Sequence, residues 1–191
     1  MEKFRLKKSL GQNFLVDETV SQRIADKSDI KREDIVIEIG PGTGALTKYL
    51  IPKTSNLTCI EIDKRAVHVL RKNYKGLKVL NIDILEANLD EILPRDKKVK
   101  VIGNLPYYIS SQIIFKLIDY SDRIESFTFM IQRELGNRIV SEPNSKEYGI
   151  LTLAVLMCGT AEKLFDVPPS AFNPPPKVTS SVVTITFNDG V

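Results

Sequence analysis

The sequence predicts an α/β fold, a mostly parallel seven-stranded sheet with helices on both faces and an antiparallel edge at its C-terminal end. Three observations carry this. Strand-length apolar runs alternate with helical patterns from Ile35 to Val140, the signature of βαβ units. A glycine-rich turn, Gly40-Pro41-Gly42-Thr43-Gly44, directly follows the first of these runs. After Cys158 the pattern changes to two strands, Lys163–Val167 and the Val- and Thr-rich Val178–Phe187, joined by a proline-dense loop.

Taken in order, Asp17 is a helix cap and predicts a helix to Lys27. The first strand is Ile35–Ile39, all apolar but for Glu38, as a strand buried on both faces requires. A helix over Ala45–Ile51 follows the glycines. The second strand is Leu57–Ile62, and Asp63 caps a helix over Lys64–Asn73. Lys78–Ile82, Val99–Ile102 and Phe127–Ile131 are the remaining parallel strands, with helices over Ser110–Tyr120 and Arg133–Val140. Ile150–Cys158 is apolar all round, so periodicity leaves it open between buried helix and strand. Five prolines within Pro168–Pro176 fix the shape of the last loop.

At 191 residues and 42% hydrophobic content the chain is sized for one main domain. No apolar run reaches the roughly 18 residues that cross a bilayer, and Met1–Lys8 lacks an apolar signal core, so a cytoplasmic protein is expected. Cys59 and Cys158 stand far apart in apolar contexts and read as core residues. With a single histidine, His68, no metal site is expected. The net charge of +3 resides in the first eight residues, where Lys3, Arg5, Lys7 and Lys8 stand against Glu2. Such an arm is a solvated tail by default; beside a nucleotide-type site, Lys7 and Lys8 become candidate phosphate contacts.

The chemistry concentrates at strand ends. Glycines after the first strand let the backbone approach a ligand closely. Glu61, 21 residues past Gly40, ends the second strand, where a carboxylate can accept both hydroxyls of a ribose. Asp83 ends the third and can accept from an adenine amine, with Ile62 and Ile84 as apolar covers for the ring. Gly40, Gly42 and Ala45 also satisfy the looser dinucleotide pattern. Glu38 favours S-adenosylmethionine instead, being an acid placed to neutralise a cationic amino-acid cofactor.

Asn104-Leu105-Pro106-Tyr107, at the end of the fourth strand, tilts the balance further. The amine of adenine is a poor nucleophile because its lone pair is delocalised into the ring. Asn104 offers a side-chain carbonyl and Leu105 a main-chain carbonyl to grip both amino hydrogens. Pro106 fixes φ and has no competing N–H, and Tyr107 offers a stacking face worth roughly 1 to 3 kcal/mol.

With these motifs assembled, the chain resembles the ribosomal RNA small-subunit adenine dimethyltransferase family over nearly its full length. Leu10-Gly11-Gln12-Asn13-Phe14-Leu15 is similar to the family's N-terminal signature, Glu38–Gly44, Glu61 and Asp83 to its cofactor motifs, and Asn104–Tyr107 to its catalytic motif. Phe172-Asn173-Pro174-Pro175-Pro176-Lys177-Val178-Thr179-Ser180 resembles the late motif that completes the substrate pocket. Tyr108 stands where many members carry a polar residue.

The resemblance implies a Rossmann-like S-adenosylmethionine-dependent methyltransferase fold, with residues 1–191 as the catalytic domain and residues 1–16 as its basic arm. It implies a cofactor pocket lined by Asn13, Leu15, Gly40, Glu61, Asp83 and Asn104, and a target base clamped between Tyr107 and Phe172. It further implies a monomer acting on two adjacent adenines near the 3′ end of small-subunit rRNA in an immature subunit. The small helical C-terminal domain usual in the family is expected to be absent. Two other functions are compatible with the motifs: a large-subunit rRNA methyltransferase of the antibiotic-resistance type, and a non-catalytic assembly or transcription factor of the same fold.

Overall fold

The computed structural model describes residues 13–188. The chain opens with a two-residue strand, β1 (Phe14–Leu15), and helix α1 (Glu18–Lys27). The Asp17 carboxylate caps that helix, accepting the amides of Thr19 at 2.9 Å and Val20 at 3.4 Å. Then come β2 (Ile35–Ile39), α2 (Thr47–Leu50), β3 (Asn56–Ile60), α3 (Lys64–Asn73), β4 (Lys78–Leu80), α4 (Leu89–Ile92) and β5 (Val99–Asn104). A 3-10 turn over Tyr107–Ile109 leads into α5 (Ser110–Ile118), followed by β6 (Ile124–Gln132), α6 (Arg133–Ile139), α7 (Ile150–Cys158) and β7 (Gly159–Val167). The chain closes with the short β8 (Phe172–Asn173) and with β9 (Ser180–Phe187).

Seven strands form one sheet in the order β4-β3-β2-β5-β6-β9-β7. The pairs from β4 to β6 are parallel; β9 enters antiparallel between β6 and β7. The predicted antiparallel edge is therefore present, with its last strand inserted inside it. Alternate residues of the central strands feed two cores. Ile37 and Ile39 of β2, Val99 and Val101 of β5, and Phe127 and Phe129 of β6 pack with Ile113 and Leu117 of α5. On the opposite face Val36, Cys59, Ile102 and Met130 pack with Ile24 of α1, Leu50 of α2 and Leu70 of α3. Each such side chain, fully buried, contributes about 1.5 to 3 kcal/mol.

Several bounds differ from expectation, for local reasons. The strands read as Leu57–Ile62 and Lys78–Ile82 stop at Ile60 and Leu80. Beyond those points the backbone turns, and the Asn81 side-chain amide ties it down by donating to the carbonyls of Glu61 (2.8 Å) and Ile62 (3.1 Å). β5 runs two residues past Ile102, because Gly103 and Asn104 still pair with Phe129 and Met130. The open segment Ile150–Cys158 is a helix; only Thr152 and Val155 are fully buried, and Ile150, Leu153 and Met157 face outward. Cys59 is a core residue as expected, whereas Cys158 is half-buried. Among the described residues no helix is long and apolar enough to cross a membrane.

Candidate active site

The carboxyl ends of β2, β3, β4 and β5 open onto one cleft, and the glycine turn forms its floor. Gly40 and Gly42 both adopt positive φ, 66° and 57°, which lets the chain reverse beneath a ligand without a Cβ in the way. The turn is fixed from two sides. The Gly40 amide donates to the Ile60 carbonyl at 3.0 Å, and the Gly42 amide donates to Glu61 Oε2 at 2.9 Å. Phe14 closes the turn: a methyl at Gly42 would come within 2.8 Å of its ring.

Three carboxylates line this cleft at successive strand ends. Glu38, 1% exposed, accepts the Thr47 hydroxyl at 2.7 Å and the Cys59 thiol at 3.6 Å through Oε2. Burial pushes its carboxyl up to about 7, against the pull of those two bonds and with a small addition from the charge of Glu61. Glu61 accepts Gly42 N–H through Oε2 and Asp63 N–H, at 2.8 Å, through Oε1. Burial raises its carboxyl as well, and the amides of Asp63, Gly42 and Ile62 offset part of that rise. A carboxylate has about four acceptor positions, so Glu61 keeps capacity for a ligand beside these amides. Asp83 accepts the Leu85 amide at 2.9 Å, and Ile62 and Ile84 flank it on the cleft wall.

The fourth strand brings the amide and the ring. At Gly103 any Cβ would meet the Ile39 carbonyl oxygen at 2.6 Å, so glycine is what allows β5 to lie against β2 where both strands reach the cleft. Asn104 donates its side-chain N–H to the Asn13 carbonyl at 3.5 Å, a long contact that assigns the other end of the amide as acceptor. Leu105 donates its N–H to the Met130 carbonyl at 3.1 Å, and no donor among the described residues takes the Leu105 carbonyl. The Pro106 carbonyl is occupied by the Ile109 amide (3.2 Å) and the Ser110 hydroxyl (2.8 Å). Tyr107 is half-buried, with its phenol oxygen 2.7 Å from Ser180 Oγ; burial raises the phenol and the serine bond opposes that.

Of the residues singled out from sequence, Asn13, Leu15, Glu38, Gly40, Gly42, Glu61, Ile62, Asp83, Ile84 and Asn104–Tyr107 share this cleft. Two do not. Gly44 turns its Cα toward Tyr74, whose ring a Cβ would approach to 2.8 Å, so it serves the packing of the loop on α3. Phe172 is 3% exposed and belongs to the core on the α1 face. Pairing of Leu15 with Phe172 across β1 and β8 aligns the two segments there, and the ring packs into that core. Lys7 and Lys8 lie outside the described residues. His68 is exposed on α3, and no cluster of possible metal ligands occurs among the described residues. Sequence reading missed Phe14, Gly103 and the contact from Ser180; Phe14 and Ser180 lay inside quoted motifs, but their partners are remote in sequence.

A parallel sheet with a glycine turn, a buried acid on the neighbouring strand and a polar fourth-strand end defines the Rossmann-like class of S-adenosylmethionine-dependent methyltransferases. Within that class, the chain belongs to the ribosomal RNA adenine dimethylase family, whose sequence model it matches over residues 3–190. It is 42% identical over 182 residues to ribosomal RNA small subunit methyltransferase A of Malacoplasma penetrans, covering 95% of this chain and 66% of that protein. To the protein of the same name from Flavobacterium johnsoniae it is 44% identical over 188 residues, covering 97% and 72%. Among solved structures, a dimethyladenosine transferase from Plasmodium falciparum superposes with a TM-score of 0.83 at 32% identity, covering 92% of this chain and 64% of that one. The 23S rRNA methyltransferase ErmE gives a TM-score of 0.78 at 29% identity, covering 92% and 70%. The chain thus spans about two thirds of the length of the curated relatives it matches.

Proposed function

We propose that this chain transfers methyl groups from S-adenosylmethionine to the exocyclic amine of two adjacent adenines in a hairpin near the 3′ end of small-subunit rRNA, producing dimethyladenosines during subunit biogenesis. The observation that carries this reading is the meeting of Asn104, Leu105 and Tyr107 with Glu61 in one cleft: acceptors for an amine and a stacking ring stand beside an acid suited to a ribose. The two small subunit methyltransferases and ErmE act, by their names, on ribosomal RNA, and this supports the substrate class.

The cofactor supplies an electrophilic methyl group on a sulfonium, and the residues present fit it. Glu61 would accept from the ribose hydroxyls, Ile62 and Ile84 would provide apolar walls for adenine, Asp83 would accept from an adenine amine, and Glu38, once ionised, would supply negative charge for the amino-acid end. Asn13 and Leu15 close the near side, and Gly40 and Gly42 leave room beneath. On the substrate side, Asn104 Oδ1 and the Leu105 carbonyl accept the two amine hydrogens, which localises the nitrogen lone pair and aims it. Tyr107 stacks on the extruded base. Acceptor oxygens around the nitrogen stabilise positive charge developing there, and the proton, acidic only once the nitrogen is alkylated, leaves to water. No general base is needed.

The protein is proposed to act as a monomer on an immature ribosomal subunit in the cytoplasm, with residues 1–191 as the catalytic domain and the arm, including Lys7 and Lys8, on backbone phosphates. Incubation with methyl-labelled cofactor and either immature small subunits or large-subunit RNA tests the assignment. Primer extension should then stop at two adjacent adenines of the small-subunit RNA. Label in large-subunit RNA alone would move the protein to the resistance type, and label in neither would remove the catalytic reading.

A further inference from the structure

We infer that Ser180 is a positioning residue for methyl transfer, acting through Tyr107 by holding its phenol and so fixing the plane on which the target base stacks. The inference rests on the proposed function for its catalytic consequence, though not for the tether itself. Ser180 is the first residue of β9 and is fully buried. Its backbone is held on both sides, opposite Gln132 of β6 and Val167 of β7, so its hydroxyl originates from one of the most constrained positions near the cleft. That hydroxyl lies 2.7 Å from the Tyr107 oxygen, its one hydrogen-bond partner among the described side chains.

A buried serine inside a strand is costly unless it is bonded, so an apolar residue would serve packing better there. The adjacent Ser181 is no substitute, because its hydroxyl is committed to Asp166 at 2.6 Å. Tyr107, by contrast, sits in a single 3-10 turn, and two side-chain torsions set the angle of its ring. Its neighbour Tyr108, 60% exposed, shows what an untethered tyrosine of that turn does: it stands out at the rim. Linking the phenol to β9 converts a mobile ring into a fixed face, and it ties the late motif ending at Ser180 to the motif at Asn104–Tyr107. A stacked base inherits its angle from that face, and a nitrogen must be aligned with the breaking C–S bond to react.

The test is a double-mutant cycle of Ser180→Ala and Tyr107→Phe, with Ser180→Thr as the conservative rescue, read by single-turnover rate, RNA KM, cofactor Kd and melting temperature. Each single variant should lower the methyl-transfer rate about tenfold, the scale of one net hydrogen bond. Cofactor Kd should stay within about twofold, as expected for a group that does not touch the cofactor. The double variant should be no slower than either single one, and Ser180→Thr should recover most of the rate. Independent, multiplying losses would overturn the inference, as would wild-type rates in Ser180→Ala, or a loss of cofactor affinity in step with melting temperature. The tether is read separately by NMR of ring-labelled Tyr107, where Ser180→Ala should accelerate ring flipping. An inactive wild type with a tethered ring would refute the proposed function and leave the positioning contact standing; unchanged flipping would refute the contact itself.

Discussion

Replacing Glu38 by glutamine should make the cofactor-free protein more stable at alkaline pH while weakening cofactor binding. Glu38 is buried at the end of β2, and its carboxyl titrates near 7 instead of its ordinary 4.5. The unfolded chain ionises this group near 4.5, whereas the folded protein holds it neutral until about 7. The folded state therefore binds the extra proton across that window, and stability attributable to this group falls as pH rises through it. Above pH 7 the full cost of a buried charge applies, about 3 kcal/mol for this displacement. The Glu38→Gln side chain would keep an oxygen to accept the Thr47 hydroxyl, now 2.7 Å from Glu38 Oε2, so the bond to α2 survives and the charge does not. Urea unfolding of both proteins from about pH 3.5 to about pH 8.5, which brackets the two titrations, measures the effect. The two stabilities should coincide at the acid end, diverge between about pH 4.5 and pH 7, and differ by a constant of about 3 kcal/mol above that, roughly 6 to 12 °C in melting temperature for a domain of this size. Other carboxyls titrate in both proteins and cancel in the difference. Isothermal titration with S-adenosylmethionine should show the reverse order at about pH 8, with the Glu38→Gln variant binding about tenfold more weakly for want of a counter-charge. Parallel stability curves would refute the reasoning, because they would mean that the Glu38 carboxyl ionises in the fold as readily as in water.

Three further substitutions separate the parts of the site. Asn104→Ala should reduce single-turnover methyl transfer by about a hundredfold or more while cofactor Kd changes by less than about tenfold, since the lost acceptor faces the reacting amine; wild-type single-turnover rates would remove Asn104 from the chemistry. Glu61→Gln should weaken cofactor binding by about ten- to a hundredfold, because one amide end must then face the N–H of Gly42 or Asp63, each now within 2.9 Å of a carboxylate oxygen; unchanged affinity by titration calorimetry would remove Glu61 from the ribose. Gly103→Ala should destabilise the fold by about 2 kcal/mol or more, since the new methyl meets the Ile39 carbonyl at 2.6 Å and must part β2 from β5; a denaturation midpoint equal to wild type would show that the strands separate freely.

What can be read from sequence, and what cannot, divides along the range of the interactions involved. Helices α1 and α3 are legible to the residue because each is announced by an aspartate that caps its own next turn. The cofactor-side acids are legible because strand ends in a parallel sheet converge whatever the loops do. Phe172 escapes a sequence reading because its placement depends on β1 meeting β8, a pairing between opposite ends of the chain with no local pattern to betray it. Gly44 falls in with the other glycines by spacing alone, yet its neighbour is Tyr74, a full βα unit away. Gly103 passes as one more residue of an apolar run, although the Ile39 carbonyl on the adjacent strand is what excludes any side chain there. In α7 the missing signal is different: a helix whose outward residues Ile150, Leu153 and Met157 are as apolar as its buried ones has no amphipathic period to read.

The position of the cleft follows from the sheet order itself. Connections from β2 run outward through β3 to β4, then return across to β5 on the other side of β2 and continue outward to β6. Loops leaving β2 and β5 therefore depart in opposite directions, and the carboxyl ends of those two strands are left facing a gap that neither loop fills. Everything assigned to the donor side, from Glu38 to Asp83, hangs on β2 and the strands beyond it; everything assigned to the acceptor side, from Asn104 to Tyr107, hangs on β5. Only at this junction can the two sets approach within bonding distance, and Gly103 sets how closely they do. The N-terminal segment then spans the junction: Asn13 takes the Asn104 amide, Phe14 packs on Gly42, and Leu15 pairs with Phe172. Phe172, paired with Leu15, is thereby the anchor of the strap that spans the two halves of the site.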